Sequence, residues 1–233
     1  MTTVCIIPAR GGSKRIPRKN IRSFAGIPMI AHSIRAALAS GIFDRILVST
    51  DDEAIACVAR DAGAETPFMR PPELADDHAG TDAVLVHALR WLIGSGCSPE
   101  SACCLYATAP FVRAEDLVRG RDVLRLSGAC TAFTVTRFPS PLFRALKINP
   151  DGRLAMFWPE HRTTRSQDLP EAWHDAGQFY WLSVARYLSA PRLFSDDSAP
   201  ISMPRIRVQD IDTPEDWETA EQLYAVLQQG RVP

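Results

Sequence analysis

Short apolar runs alternate with helical spacing through the first half of the chain. Residues 4–8 read as a buried strand closed by Pro8, and a polar, glycine-bearing loop follows. Residues 28–39 carry Ile30, Ile34 and Leu38 at helical spacing, with Gly41 placed to stop the helix. Arg45–Ser49 is a second strand, and Asp51 and Asp52 open a helix through Ile55, Val58 and Ala59. A third short strand is expected at 66–69. Val84, Leu85, Ala88, Leu89 and Leu92 then mark a helix over 81–93, followed by a strand at 102–106 and a helix at 114–126. This alternation predicts an α/β fold, a mostly parallel sheet flanked by helices, with ligands at the carboxyl ends of the strands.

The rhythm breaks after about residue 130. Strand and loop signals dominate 130–182, interrupted by Pro139, Pro141, Pro150, Pro159 and Pro170. An inserted subdomain or interface arm is expected there. The last helix is well marked: Thr213 suits the N-cap, Pro214 the first turn and Asp216 the third position, with Trp217, Ala220, Tyr224 and Leu227 as the apolar stripe.

Composition adds limits. The 233 residues, 46% apolar and 23% charged, suit one globular domain. A net charge of −1 gives no reason to expect nucleic acid or an anionic membrane. The six cysteines form no C-x-x-C pair or zinc spacing and read as reduced thiols. Cys103 and Cys104, adjacent in a strand, point to opposite faces. No signal peptide and no apolar stretch of the ~20 residues a membrane span needs is present, so a cytoplasmic location is expected. His32, His78, His87 and His161 show no metal-ligand spacing. His174 and Asp175, neighbours in an extended segment, do not make a catalytic dyad.

Charge distribution changes the picture more than the total does. Residues 10–22 hold six cations and no acid, in a chain that is otherwise acidic. Gly11 and Gly12 permit close backbone approach to phosphate, Ser13 adds a donor, Lys14 and Lys19 supply point charges and Arg10 a forked contact. A charge run is usually a solvated face, but here glycines, strand exit and charge coincide. Neither G-x-x-x-x-G-K-[ST] nor G-x-G-x-x-G is present, which argues against a P-loop NTPase and a dinucleotide oxidoreductase. Near the other end, Asp210 and Asp212 flank Ile211 and share one side of an extended segment, a hard-oxygen pair suited to Mg2+ with phosphate oxygens. The local alternative is that Asp212 favours the start of the last helix and Asp210 pairs with an arginine.

The segment from Pro8 through Ala9, Arg10, Gly11, Gly12, Ser13, Lys14 and Arg15, with Lys19 and Asn20 behind it, resembles the nucleotide loop of the CMP-sialic acid synthetase (acylneuraminate cytidylyltransferase) family. The resemblance implies a Rossmann-like nucleotidyltransferase fold, residues 1–233 as a single domain, and a dimerisation and sugar-binding arm around 136–175. It implies CTP and an acidic nine-carbon sugar as substrates, Mg2+ as cofactor, and a homodimer. Ala9, Arg10, Gly11, Gly12, Ser13, Lys14, Lys19 and Asn20, with Arg70, Thr81 and Thr108, are then nucleotide contacts. Arg10, Lys14, Lys19, Asp210 and Asp212 are catalytic, and the two aspartates hold the metal. Ala107 stands where the family form carries proline. Segments around Arg144 and Lys147, Arg165 and Gln167, and Gln178 and Tyr180 look most like the pseudaminic acid branch and are expected to bind the sugar; surface ion pairs are the alternative role for the arm's cations. The same reaction on N-acetylneuraminic, legionaminic or 3-deoxy-octulosonic acid, and a non-catalytic CTP-binding module, remain as alternatives.

Overall fold

The computed structural model describes residues 2–76 and 79–229; His78 lies outside them. The chain runs β1 (Thr3–Pro8), β2 (Ser23–Phe24), β3 (Ile27–Pro28), α1 (Met29–Ser40), β4 (Arg45–Ser49), α2 (Glu53–Asp61), α3 (Thr81–Gly94), β5 (Ser101–Leu105), α4 (Ala114–Ser127), β6 (Thr131–Arg137), β7 (Leu146–Ile148), β8 (Leu154–Met156), β9 (Trp173–Ser183), α5 (Val184–Ser189), β10 (Ser198–Ser202) and α6 (Pro214–Gln228). Six strands form one sheet in the order β10-β6-β9-β5-β1-β4, in which β9 alone runs antiparallel to its neighbours.

Both faces of the sheet are covered. Cys5, Ile7, Cys103 and Trp181 pack on the side that carries Ile30 and Ile34 of α1 and Leu117 of α4. Val4, Ile6, Cys104 and Tyr180 face Leu85, Leu89 and Leu92 of α3. The adjacent cysteines thus divide between the two cores, as strand alternation requires. A third cluster, Ile16, Phe24, Met29, Phe111, Ile211, Trp217 and Ala220, lies under the first loop and the last helix.

Local chemistry sets the element ends. Gly41 closes α1 in the left-handed region (φ 65°). Asp52 caps α2 by accepting from the backbone of Ala54 and Ile55. Thr213 and Asp216 form a reciprocal capping box at α6, with Pro214 in the first turn. Two expectations need correction. Residues 66–69 form no strand: only single parallel bridges join Leu47 to Glu65 and Thr50 to Met69, and Pro67 between them lacks the N–H a ladder needs. In α1 the inward position is Ala37 rather than Leu38, which is 48% exposed.

Between β6 and β9 the chain leaves the sheet as an arm, holding the β7–β8 hairpin and short 3-10 turns. Among the described residues no helix is long and apolar enough to cross a membrane, and all six cysteines are free thiols.

Helix α4 sits tightly on the sheet because Gly120 has no side chain: a Cβ there would lie 2.7 Å from Trp181 and 2.8 Å from Phe179. Gly94, at the end of α3, faces open space. Gly120→Ala is therefore expected to destabilise by about 1–3 kcal/mol through overpacking, and Gly94→Ala to be neutral or to stabilise by up to about 1 kcal/mol. Paired thermal melts check the opposite signs.

Candidate active site

Strand β1 connects through α1 to β4 on one side, whereas β5 connects through α4 to β6 on the other. The crevice at their carboxyl ends is the switch point where α/β sheets bind ligands. A cavity of about 330 Å³ opens there. Its wall takes Arg10, Ser13, Lys14, Arg15, Lys19 and Asn20 from the loop after β1, Arg70 and Thr81 from the approach to α3, Tyr106, Ala107 and Thr108 after β5, and Asp212 from the far end of the chain.

The loop is held by its own side chains. Asn20, 6% exposed, donates to the Arg10 carbonyl at 2.9 Å and closes the turn. Arg18 takes a left-handed conformation (φ 53°) that glycine would adopt at lower cost. Arg10 donates to the Asp76 carbonyl at 3.0 Å. Gly11 proves to serve a different neighbour from the one its sequence context suggests. Its N–H donates to the Asp51 carboxylate at 2.9 Å, and an added Cβ would lie 2.9 Å from the Asp52 side chain. The missing side chain makes room for the acidic turn after β4, and neither Ala9, Gly11 nor Gly12 lines the cavity.

The two chain ends meet. Lys19 Nζ donates to the Ile211 carbonyl at 2.7 Å and to Asp212 Oδ1 at 3.2 Å, while Arg15 reaches Asp212 Oδ2 at 2.7 Å. Alternation produces this convergence. Ile16 and Ile211 each point into the third cluster, both 1% exposed, so the charged residues beside them turn outward into one cleft. Asp210, unlike Asp212, does not line the cavity. Partial burial, and then the adjacent Asp212 charge, raise its pKa above the ordinary aspartate value, while Lys19 opposes the shift.

Behind this segment, Arg207 and Asp116 form a buried, forked ion pair at 2.5 and 3.0 Å that ties the approach to Asp210 onto α4. Arg70, 6% exposed, donates through Nε to Ser49 Oγ at 3.1 Å and through Nη2 to the Ser49 carbonyl; burial lowers its pKa from the ordinary arginine value. Thr81 Oγ1 lies 3.2 Å from the Tyr106 hydroxyl.

The expected sugar-binding residues are placed elsewhere. Arg144 donates to the Thr164 carbonyl within the arm, Lys147 lies over the Phe157 ring at 5.8 Å, and neither they nor Arg165 and Gln167 line the cavity. Gln178 (3% exposed) and Tyr180 (1%) are core residues of β9, because that strand is covered on both faces. His174 Nδ1 meets the Asp175 carbonyl at 2.8 Å, not its carboxylate, so the pair forms no dyad. Tyr106 and Arg15, which sequence reasoning did not single out, line the site; the signal for Tyr106 was its place two residues before Thr108 at a strand end.

Ile211→Ala should lower stability by about 2–4 kcal/mol by opening a cavity in the third cluster. A thermal melt beside the wild-type chain checks the loss.

Residues 4–133 match the family model described as cytidylyltransferase. The chain is 43% identical over 97% of its length, and 97% of the other chain, to a pseudaminic acid cytidylyltransferase of Campylobacter jejuni serotype O:2. It is 31% identical, over the full length of both chains, to a CMP-N,N'-diacetyllegionaminic acid synthase of Legionella pneumophila. A solved CMP:2-keto-3-deoxy-manno-octonic acid synthetase, complexed with CTP, superposes with a TM-score of 0.68 over 97% of this chain and 99% of that one, at 18% identity, and shares the fold. With this sheet order and a cation-lined switch-point crevice, the chain belongs to the cytidylyltransferase family.

Proposed function

We propose that the chain transfers the CMP part of CTP to a nonulosonic acid, pseudaminic acid before others, with release of pyrophosphate. The observation that carries this is the switch-point cavity in which Arg10, Lys14 and Lys19 face Asp212. The choice of acceptor rests on the full-length likeness to the Campylobacter relative and its name.

In the reaction, a sugar hydroxyl oxygen forms a bond to the α-phosphorus, the bond from that phosphorus to the β-phosphate bridge breaks so that pyrophosphate leaves with the electron pair, and the hydroxyl proton passes to water. Arg10, Lys14 and Lys19 bind the triphosphate and stabilise the charge that builds on the leaving pyrophosphate. Arg70, held by Ser49, and Thr81, beside the Tyr106 hydroxyl, take the nucleoside end in this reading. Most of the acceleration comes from positioning and electrostatics in the cleft.

The aspartate pair fits Mg2+. Burial, and then the neighbouring Asp212 charge, raise the pKa of Asp210, and a divalent cation held by the pair would offset the second of these. Among the described residues no group of three or more His, Cys, Asp or Glu converges, which suits an ion that takes its other ligands from phosphate and water. When bound, it would neutralise phosphate charge beside the cationic loop. Arg15, with its side chain 66% exposed, can leave Asp212 at little cost, since exposed ion pairs contribute about 0–1 kcal/mol.

A homodimer completes the reading. Leu146, Ile148 and Leu154 share one face of the β7–β8 hairpin and are each more than half exposed, an apolar face that a partner surface would cover. Free thiols throughout suit a cytoplasmic enzyme.

Pyrophosphate release is measured with CTP and magnesium against pseudaminic, legionaminic, N-acetylneuraminic and 3-deoxy-octulosonic acids. Turnover is expected to be fastest with the first; CTP binding without pyrophosphate from any acceptor would indicate a non-catalytic module. Asp210→Ala and Asp212→Ala should each lower kcat by about 10²-fold or more while leaving the melting temperature nearly unchanged. A double Ile148→Asp, Leu154→Asp variant, altering cross-strand neighbours of the hairpin, should shift the protein from dimer to monomer in light scattering; a wild-type monomer would refute the dimer.

A further inference from the structure

The antiparallel direction of β9 puts its first residues beyond the carboxyl end of β5, on the rim that holds Tyr106, Ala107 and Thr108. Leu105 pairs with Phe179, and Tyr106 N donates to the Gln178 carbonyl at 2.9 Å. Asp175 stands on this rim, partly exposed. Its carboxylate oxygens are fixed separately. Oδ1 accepts from Gly177 N at 2.9 Å, in a turn that Gly177 makes with φ 61°. Oδ2 accepts from the Tyr180 hydroxyl at 2.5 Å.

The Tyr180 ring is sealed between Tyr106, at 5.3 Å between centroids, and Phe133, at 5.7 Å. Burial raises the pKa of Tyr180 and Tyr106 alike, so both stay protonated donors. Tyr180 therefore cannot touch a ligand itself; what its hydroxyl does is aim Asp175. Each carboxylate oxygen keeps a further lone pair, so an ionised Asp175 can only accept.

Gln178, next on the strand, is tied elsewhere: its Nε2 donates to the Arg207 carbonyl at 2.5 Å and its buried side chain does not line the cavity.

We propose that Asp175 binds the hydrogen-bond donors, hydroxyl or amide N–H, of the acidic sugar, with Tyr180 as its positioning residue. This rests on the cytidylyltransferase reading. A carboxylate at this place repels the carboxylate of the sugar and attracts its donors, so it selects one orientation of the acceptor against the α-phosphorus.

The test uses the full chain and steady-state pyrophosphate release, varying pseudaminic acid at saturating CTP and then the reverse, with a thermal melt of every variant. Asp175→Ala should raise KM for the sugar roughly 10–100-fold, the loss of a hydrogen bond to a charged group, and leave KM for CTP within about twofold. Tyr180→Phe, which keeps the ring packing, should raise the sugar KM by a smaller factor with the same split, and Asp175→Asn should fall between. Should Asp175→Ala not fold, the other two variants decide. Unchanged sugar KM in the folded variants, or a CTP KM that moves in step with it, overturns the proposal alone. A wild-type chain that releases no pyrophosphate with any nonulosonic acid overturns the functional reading and the proposal with it.

Discussion

Everything in the site depends on two isoleucines buried in one small apolar cluster. Ile16 sits inside the most cationic stretch of the chain and Ile211 between two aspartates, and both insert among Phe24, Met29, Phe111 and Trp217. Ile16 has Arg15 beside it and Ile211 has an aspartate on each side, charges that cannot follow them inward. Burying the isoleucines therefore turns Arg15 outward on one side and Asp210 and Asp212 on the other, across a shared cleft. The Lys19–Asp212 contact at 3.2 Å follows from that apolar weld more than it causes it, since a partly exposed ion pair is worth little.

The weld would be loose without buried polar anchors. The pair between Arg207 and Asp116 fixes the chain just before Asp210, and its partners are too buried to separate without a large penalty. Asn20 performs the matching service for the cationic loop by holding the Arg10 carbonyl. Asp51 holds the Gly11 N–H from outside the cavity, which sets an acid behind the cations instead of among them. The cations of the loop and the carboxylate of Asp212 thus share the cleft, while Asp51 is held outside it.

Features whose cause lies within a few residues were legible in the sequence. The capping box of α6, the Gly41 stop of α1, the Asp52 cap and the division of Cys103 from Cys104 each follow from local chemistry. Nonlocal features were not. Residues 66–69 carry strand-like composition, but whether they pair depends on the neighbouring strand and on Pro67. Gly11 reads as a phosphate-loop glycine, yet the atoms it accommodates belong to Asp52, some forty residues on. Tyr180 and Gln178 sit in a segment that reads as a binding motif, and only the sheet order shows that β9 is covered on both sides.

The arm gains meaning from the same strand. It departs from β6 and returns on β9, and the two are paired at its base, Thr136 with His174 and Arg137 with Trp173. The register shifts between Phe133 and Val135, and Asp175 stands opposite Val135 just past that irregularity. A bulge bends a strand and re-aims its side chains. The place where Asp175 points is therefore set by how the arm is rooted. The exposed β7–β8 hairpin is a separate two-stranded sheet, joined to this stem through loops and 3-10 turns, so the pairing of β6 with β9, and not the hairpin, sets where Asp175 stands.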